Sequence, residues 1–337
     1  MRAEDLAEEC LLSAATAPAK DYLVSVIVPV FNDAARLRLC LQALAVQTYG
    51  SEDKQKDKQK DEQKDKQKAY EVIVVDNASD ISENISALVA EFSFAVYAYE
   101  QAPGSYAARN HGLKLAKGDI LAFTDADCMP LPEWLEKGVA HLMRIAGCGL
   151  VAGRINLFFQ NAQANPVELY ESVTAFPQQR LLAQHRGAAT ANLFTFKSVV
   201  NAVGPFDASL LSQGDLEWGR RVFAAGYRQF YAEDACVNHP ARHTFEQLRR
   251  RSLRLAGGAF NRFVRPEHGF FRRNLTFAKL LIEDLIPPVN FAISALKDER
   301  LKGYRQKLLV PLVLVWVRQV SAVEKVRLRF GGLPNRG

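Results

Sequence analysis

The chain has 337 residues, 48% of them hydrophobic and 24% charged, which is enough for one large α/β domain with an appendage or for two modest domains. It has neither a GxGxxG dinucleotide fingerprint nor a GxxxxGK(S/T) phosphate loop, which argues against NAD-dependent and P-loop enzymes. Cys10, Cys40, Cys128, Cys148 and Cys236 are scattered and never spaced CxxC, and the acidic N-terminus (Glu4, Asp5, Glu8, Glu9) lacks the order of a signal peptide, so the expectation is a cytoplasmic protein with reduced thiols.

Residues 1–21 lack pattern and read as a tail. Residues 24–30, VSVIVPV, form a β-branched apolar run that predicts a buried parallel strand, and residues 34–47, with Leu37, Leu41 and Leu44 on one face, predict an amphipathic helix. Residues 51–68 hold 7 Lys, 6 acidic residues and 4 Gln with no apolar residue, so they predict a solvated low-complexity insertion. Its removal joins Gln47-Thr-Tyr to the next strand, Tyr70 to Asp76, and leaves a compact strand–helix–strand unit. A helix at 85–92 and a strand at 95–99 follow. The next helix opens near Gly104 and is expected to stop at Gly118, and the strand 119–124 delivers Asp125-Ala-Asp127. Further on, the pattern predicts helices at 133–145 and 216–225 and strands at 193–196 and 230–238. Strands alternate with helices and polar residues gather where strands end, which is the ligand-binding edge of an open parallel sheet.

The net charge of +6 is unevenly spread: from Arg242 onward there are 20 Lys and Arg against 7 Asp and Glu, behind an acidic body. Such a tail suits an anionic partner, a membrane surface or a phosphorylated acceptor rather than nucleic acid, for which no recognition motif is present. Residues 277–296 are interrupted by Pro287-Pro288, and the apolar run 308–317 is only ten residues long, so no spanning helix is predicted. Two readings of these stretches stay open: peripheral contact with the inner face of the membrane, or packing against the catalytic domain.

Asp125 and Asp127, two residues apart at a strand end, can both face one ligand. Paired carboxylates suit Mg²⁺ or Mn²⁺, which neutralises a diphosphate leaving group. Together with VSVIVPVFND (24–33), EVIVVDNASD (71–80), GSYAARNHGLKLAKGDILAFTDADC (104–128) and VGPFDASLLSQGDLEWGRRVFAAGY (203–227), this sequence resembles the inverting family 2 glycosyltransferases of the GT-A fold over residues 22–245. The resemblance implies an α/β fold with a mostly parallel central sheet flanked by helices, extended here by a basic helical region, 246–337. It implies a divalent metal cofactor, a nucleotide-diphosphate sugar donor, and a glycan or lipid-linked acceptor.

By the same resemblance Pro29, Val30 and Asn32 would line the nucleotide pocket, Asp76 would hydrogen-bond the base, and Arg109 would neighbour the nucleotide. Asp125 would contact ribose or metal, Ala126 would lie against the substrate, Asp127 would bind the metal, and His239 would complete the metal site. Asp215 would be the catalytic base. The family's Glu-Asp pair reads Gly214-Asp215, with Glu217 two residues on, so either carboxylate could serve as base. The QxxRW motif of processive synthases is absent, because Arg251 stands where Trp is expected. The alternative function is a non-catalytic nucleotide-sugar-binding or scaffold protein of the same fold, which loss of Asp127 or Asp215 would have favoured. Tyr106 and Trp134 are candidates for the border of the sugar site.

Overall fold

The computed structural model describes residues 22–50, 69–160, 163–267 and 269–333. The strands β1 (Val24–Val30), β2 (Tyr70–Asp76), β3 (Ala95–Tyr99) and β4 (Ile120–Thr124) run parallel, and Val24 stands opposite both Tyr70 and Ile120. Strands covered on both faces need apolar residues at nearly every position. Val24, Val26, Val28 and Val30 turn to one side, where Leu37, Leu41 and Leu44 of α1 (Ala34–Ala45) meet them. Ile27 turns to the other side, with Ile73, Val75 and Phe123.

The sheet continues through β7 (Asn192–Phe196), β6 (Cys148–Phe158), β8 (Arg228–Pro240) and the short β5 (Met129–Pro130), in the order β3-β2-β1-β4-β7-β6-β8-β5. β7 is antiparallel to both neighbours, whereas β6 and β8 are parallel. The expected α/β architecture, a mostly parallel sheet flanked by helices, is therefore present. The core helices are α2 (Ile85–Ala90), α3 (Ser105–Leu115), α4 (Trp134–Arg144), α5 (Pro166–Thr174), α6 (Gln178–His185), α7 (Lys197–Val203) and α8 (Gly214–Ala224).

Two local expectations shift. Helix α3 ends at Leu115 rather than at Gly118. Gly118 instead lies against β1: its N–H donates to Ser25 Oγ at 2.8 Å, and a Cβ there would stand 2.5 Å from the Leu23 carbonyl. Helix α8 begins at Gly214, so Asp215 lies inside the first turn rather than ahead of it. The N-cap is Gln213, in the left-handed region at φ 61° and with no capping side chain.

Behind β8, α9 (Phe245–Ala259), α10 (Phe270–Leu285), α11 (Val289–Lys297) and α12 (Gly303–Arg329) form a helical layer. It docks on α5 through a cluster in which Val167, Leu169 and Tyr170 meet Leu248, Ala295, Leu301, Val310 and Val313. Among the described residues no helix is long and apolar enough to cross a membrane.

The N-terminal tail and the charged insertion lie outside the described residues, but the insertion's flanks come together. A Cβ on Gly50 would fall 2.4 Å from that of Ala69. Deleting residues 51–68 and joining the flanks with one added glycine should leave the folded core intact. Thermal unfolding within about 2 °C of the parent is expected, because no apolar side chain is removed. A fall of more than about 5 °C would show that the segment is docked.

Candidate active site

The strand ends and loops on one edge of the sheet surround a cleft of about 590 Å³. β1 delivers Pro29 and Val30, α3 delivers Tyr106 and Arg109, and the segment after β4 delivers Asp125, Ala126 and Asp127. Asp215 comes from α8 and His239 from β8. β4 stops at Thr124, and the acidic pair sits in a turn closed by Cys128 N–H donating to the Asp125 carbonyl at 3.0 Å. The turn, rather than strand alternation, brings both carboxylates to the cleft.

Arg109 is only 3% exposed, yet it reaches the cleft and donates to Asp125 Oδ1 at 2.5 Å. Its Nε has no hydrogen-bond partner among the described residues, and its guanidinium lies 5.8 Å from the Tyr106 ring centre. Tyr106 in turn links α3 to α8: its hydroxyl accepts from Gly214 N–H at 2.9 Å and donates to Asp215 Oδ1 at 3.2 Å. The same oxygen of Asp215 accepts from Leu216 N–H at 2.9 Å.

Burial pushes the Asp215 carboxyl above its ordinary value of 3.8, and Arg109, the Leu216 N–H and Tyr106 offset only part of that rise. A helix N-terminus contributes about 0.3–1 kcal/mol toward the ionised form, under one pKa unit at about 1.4 kcal/mol each. Desolvation therefore outweighs the helix field at Asp215. Glu217 points elsewhere. It holds Arg221 at 2.9 and 3.1 Å, and Arg221 also caps carbonyls of Val203, Gly204 and Pro205.

At the other end of the cleft, Asp127 Oδ2 lies 3.3 Å from His239 Nε2 and 3.5 Å from Arg36. His239 is buried and its Nδ1 stands 2.7 Å from the Pro240 carbonyl, which can only accept. Nδ1 therefore carries a proton, which leaves Nε2 as the ring atom turned toward Asp127, the arrangement used to orient a metal-binding imidazole. Adjacent ligands on an octahedral ion with bonds of about 2.1 Å are separated by about 3 Å, so this oxygen–nitrogen pair can hold a divalent cation. Asp127, Cys128 and His239 bring one ligand atom each within 4.8 Å of one another. The Cys128 thiol fits poorly in that set: burial pushes its pKa well up, and it donates to the Ala191 carbonyl. A protonated thiol is no match for a hard, oxygen-seeking ion.

Of the residues singled out in the sequence, Pro29, Val30, Arg109, Asp125, Ala126, Asp127, Asp215 and His239 line this cleft. Asn32 and Asp76 do not. Asn32 ties the β1 and β2 loops together through Asp80 and Ser79. Asp76 accepts from Ser79 N–H at 2.9 Å and from the Tyr97 hydroxyl at 3.2 Å. Its neighbour Asn77 lines the cleft instead and fixes the loop ahead of α3 by accepting from Gly104 N–H at 2.7 Å. Trp134 is a core residue whose indole donates to Asn192, whereas Tyr106 borders the cleft. Sequence reasoning missed Arg242, Arg251 and Arg254, which also line the cleft. Arg242 and Arg251 converge on the fully buried Glu171 at 2.7 and 3.7 Å. The only sequence signal was the excess of basic residues after position 241.

This fold and cleft define a glycosyltransferase of the GT-A class. The profile of Glycosyl transferase family 2 matches residues 25–202, and that of Glycosyl transferase family group 2 matches residues 120–320. Glycosyltransferase AglE of Haloferax volcanii is 37% identical over 240 residues, 70% of this chain and 72% of the relative. The pre-mycofactocin glycosyltransferase of Mycobacterium tuberculosis is 28% identical over 227 residues, 65% of this chain and 43% of the relative's length. Mannosyltransferase PcManGT from Pyrobaculum calidifontis, solved with GDP-Man and Mn²⁺, shares the fold at a TM-score of 0.57 and 18% identity over 95% of each chain. The chain belongs to glycosyl transferase family 2 and is a glycosyltransferase enzyme.

Proposed function

We propose that the enzyme moves a sugar from a nucleotide-diphosphate donor to a glycan or lipid-linked acceptor, with inversion, by a single displacement in which Asp215 is the base. The observation that carries this reading is that Asp215 and the Asp127–His239 pair line one cleft while Glu217 is occupied by Arg221. A divalent ion held by Asp127 and His239 would supply Lewis-acid neutralisation of the donor's diphosphate. The PcManGT structure, a complex with GDP-Man and Mn²⁺, supports both the donor class and the ion.

The chain's own groups then divide the remaining work. Pro29, Val30 and Asn77 wall the end of the cleft where the nucleotide would sit, and Arg109 holds Asp125 there. An acceptor hydroxyl is a weak nucleophile, so it must lose its proton as the new bond forms. Asp215 Oδ1 is held by Tyr106 and by the Leu216 N–H, which leaves Oδ2 to take that proton.

The layer α10–α12 supports action at an anionic membrane surface. Each of the three helices leaves an apolar stripe exposed: Phe271, Leu275, Ile282 and Leu285; then Val289, Ile293 and Leu296; then Tyr304, Leu308 and Leu312. Arg272, Arg273, Lys279, Lys297, Lys302 and Arg305 are exposed beside them. Apolar faces edged by cations suit the interface of anionic lipid, where each Lys or Arg adds about 1 kcal/mol.

Three outcomes test these readings. Nucleoside-diphosphate release from a panel of nucleotide sugars should require Mn²⁺ or Mg²⁺ and stop in EDTA, and Asp127→Ala should weaken donor binding as well as turnover. Full activity in chelator would remove the ion from the reaction.

Asp215→Asn should keep donor binding and lower kcat by about 10²-fold or more, whereas Glu217→Gln should keep most of the rate. A carboxyl whose pKa is raised on folding costs stability once pH passes its unfolded value, so Asp215→Asn should unfold at the same or a higher temperature at pH 7. The acid limb of the parent's kcat/KM profile should fall above the ordinary 3.8, because the base must be ionised. A profile flat down to pH 4 would count against Asp215.

Full-length protein should co-sediment with phosphatidylglycerol vesicles at low salt and release at high salt. Phe271→Asp with Leu275→Asp should abolish sedimentation without lowering the unfolding temperature, since both side chains are exposed. Equal sedimentation of the double variant would remove α10 from the contact.

A further inference from the structure

A second recess of about 240 Å³ opens beside the Asp127–His239 pair. It shares Asp127, His239, Arg242, Arg251 and Arg254 with the catalytic cleft but has neither Val30, Asn77 nor Asp125 in its lining. Its walls carry Arg36, Arg242, Arg250, Arg251 and Arg254, from α1, from the end of β8 and from α9. Five guanidiniums around one small space need accounting for, because like charges this close repel one another.

Part of the charge is matched by carboxylates. Arg250 pairs with Glu246 at 3.0 Å, and Arg36 with Asp33 at 3.3 Å and Asp127 at 3.5 Å. Arg242 and Arg251 share a single carboxylate, that of buried Glu171, at 2.7 and 3.7 Å. Arg254 makes no hydrogen bond or ion pair among the described residues, although it is partly withdrawn from solvent and lines both cavities. Burial, Arg242 and Arg251 all pull its pKa below the ordinary value. Among the described residues, one of the Glu171-bound arginines and Arg254 thus present positive charge in excess of the carboxylates that pair with them. A guanidinium offers a planar fork of donors suited to the oxygens of a phosphate, and a dianion would match the surplus.

We propose that this recess binds a phosphate group carried by the acceptor, separately from the diphosphate of the donor. Gln160, His243, Gln247 and Arg250 line the recess and not the cleft. Arg254 lies near Tyr106, the side chain that holds Asp215, and also near Asp125, so a phosphate there would sit within reach of the base. The same helix α9 leads into the layer with the exposed apolar stripes, which would bring a lipid-borne phosphate to the recess from the membrane side. The assignment rests on the donor reading above, in which the donor's diphosphate meets the ion at Asp127 and His239, where the recess and the cleft join.

The experiment is calorimetric titration of the full-length protein in phosphate-free buffer with Mn²⁺, first with UDP and GDP, then with geranyl phosphate, geraniol or inorganic phosphate after the tighter nucleotide has saturated its site. Geranyl phosphate is expected to bind the nucleotide-filled protein and geraniol not to. Arg254→Met is expected to weaken phosphate binding about 10-fold or more, by loss of a charged hydrogen-bonding group, and to weaken nucleotide binding by a smaller factor, since Arg254 also lines the cleft. Arg254→Lys, which keeps the charge, should recover part of the loss. Geranyl phosphate binding more tightly than inorganic phosphate marks a lipid-borne group, and equal affinities mark a water-soluble phosphate; either supports the site. The proposal is overturned if saturating nucleotide abolishes phosphate binding, because the recess then serves the donor. It is equally overturned if geraniol binds as well as its phosphate, or if Arg254→Met changes nothing. Failure of both nucleotides to bind would count against the donor reading alone, since the phosphate titration reads out without them.

Discussion

Three carboxylates, Asp125, Asp127 and Asp215, share one partly desolvated cleft, and like charges about 4 Å apart repel by about 4 kcal/mol at an effective dielectric of 20. The site depends on the cations set among them. Arg109 is the central one: it is buried, bonded to Asp125, and close enough to Asp215 to counter part of the cost of burying that carboxyl. Its place on α3, one turn after Tyr106, couples two acids that come from different parts of the chain. Tyr106 restrains Asp215 through a hydroxyl whose direction is set by the Gly214 N–H, so α3 and α8 are oriented by the same pair of side chains. Asp127 is answered separately, by His239 and by Arg36 from α1.

A second set of charges joins the cleft to the C-terminal helices. Glu171 on α5 is fully buried, accepts a hydrogen bond from Arg242 and forms an ion pair with Arg251, and a lone buried carboxylate would be costly without them. The pairing draws α9 against the cleft, where Arg251, Arg254 and Leu255 become wall residues. The apolar contact of α5 with α9, α11 and α12 fixes the same geometry by packing. Residues far apart in sequence and different in composition therefore enclose one space, and the basic helices form part of its wall.

Much of this was legible from local pattern. The runs at 24–30, 70–76 and 120–124 are unbroken and apolar because parallel strands are covered on both faces, and that pattern is hard to mistake. The polar residues placed at their ends mark the ligand edge for the same reason. β6 was harder to see: Gly149 and Gly153 interrupt CGLVAGRINLF, and the second approaches so closely that a Cβ would meet the Ala235 carbonyl at 2.2 Å. Helices α5 and α6 were missed as well, since their short runs depend on capping by Asn165 and on burial against distant elements. The role of Asp76 relative to Asn77 was likewise unreadable, because adjacent residues at a strand end differ only in which way the turn points them.

The sequence by itself determined the strand–helix alternation from β1 to α4, the sheet edge at which function would gather, and the acids, arginine and histidine that occupy it. The strands and the sheet edge follow from hydrophobic periodicity, which is local, whereas Arg109, Asp215 and His239 were assigned through the resemblance to the family. Tertiary structure alone decided which of two nearby carboxylates faces the cleft, for Asp215 and Glu217 lie two residues apart on one helix. Side chains two apart on a helix point about 200° from each other, so only packing against Tyr106 on one side and Arg221 on the other could assign them. It also decided that arginines from the basic tail would stand beside His239, since charge balance between Glu171, Arg242, Arg251 and Arg254 exists only once α5 and α9 are brought together.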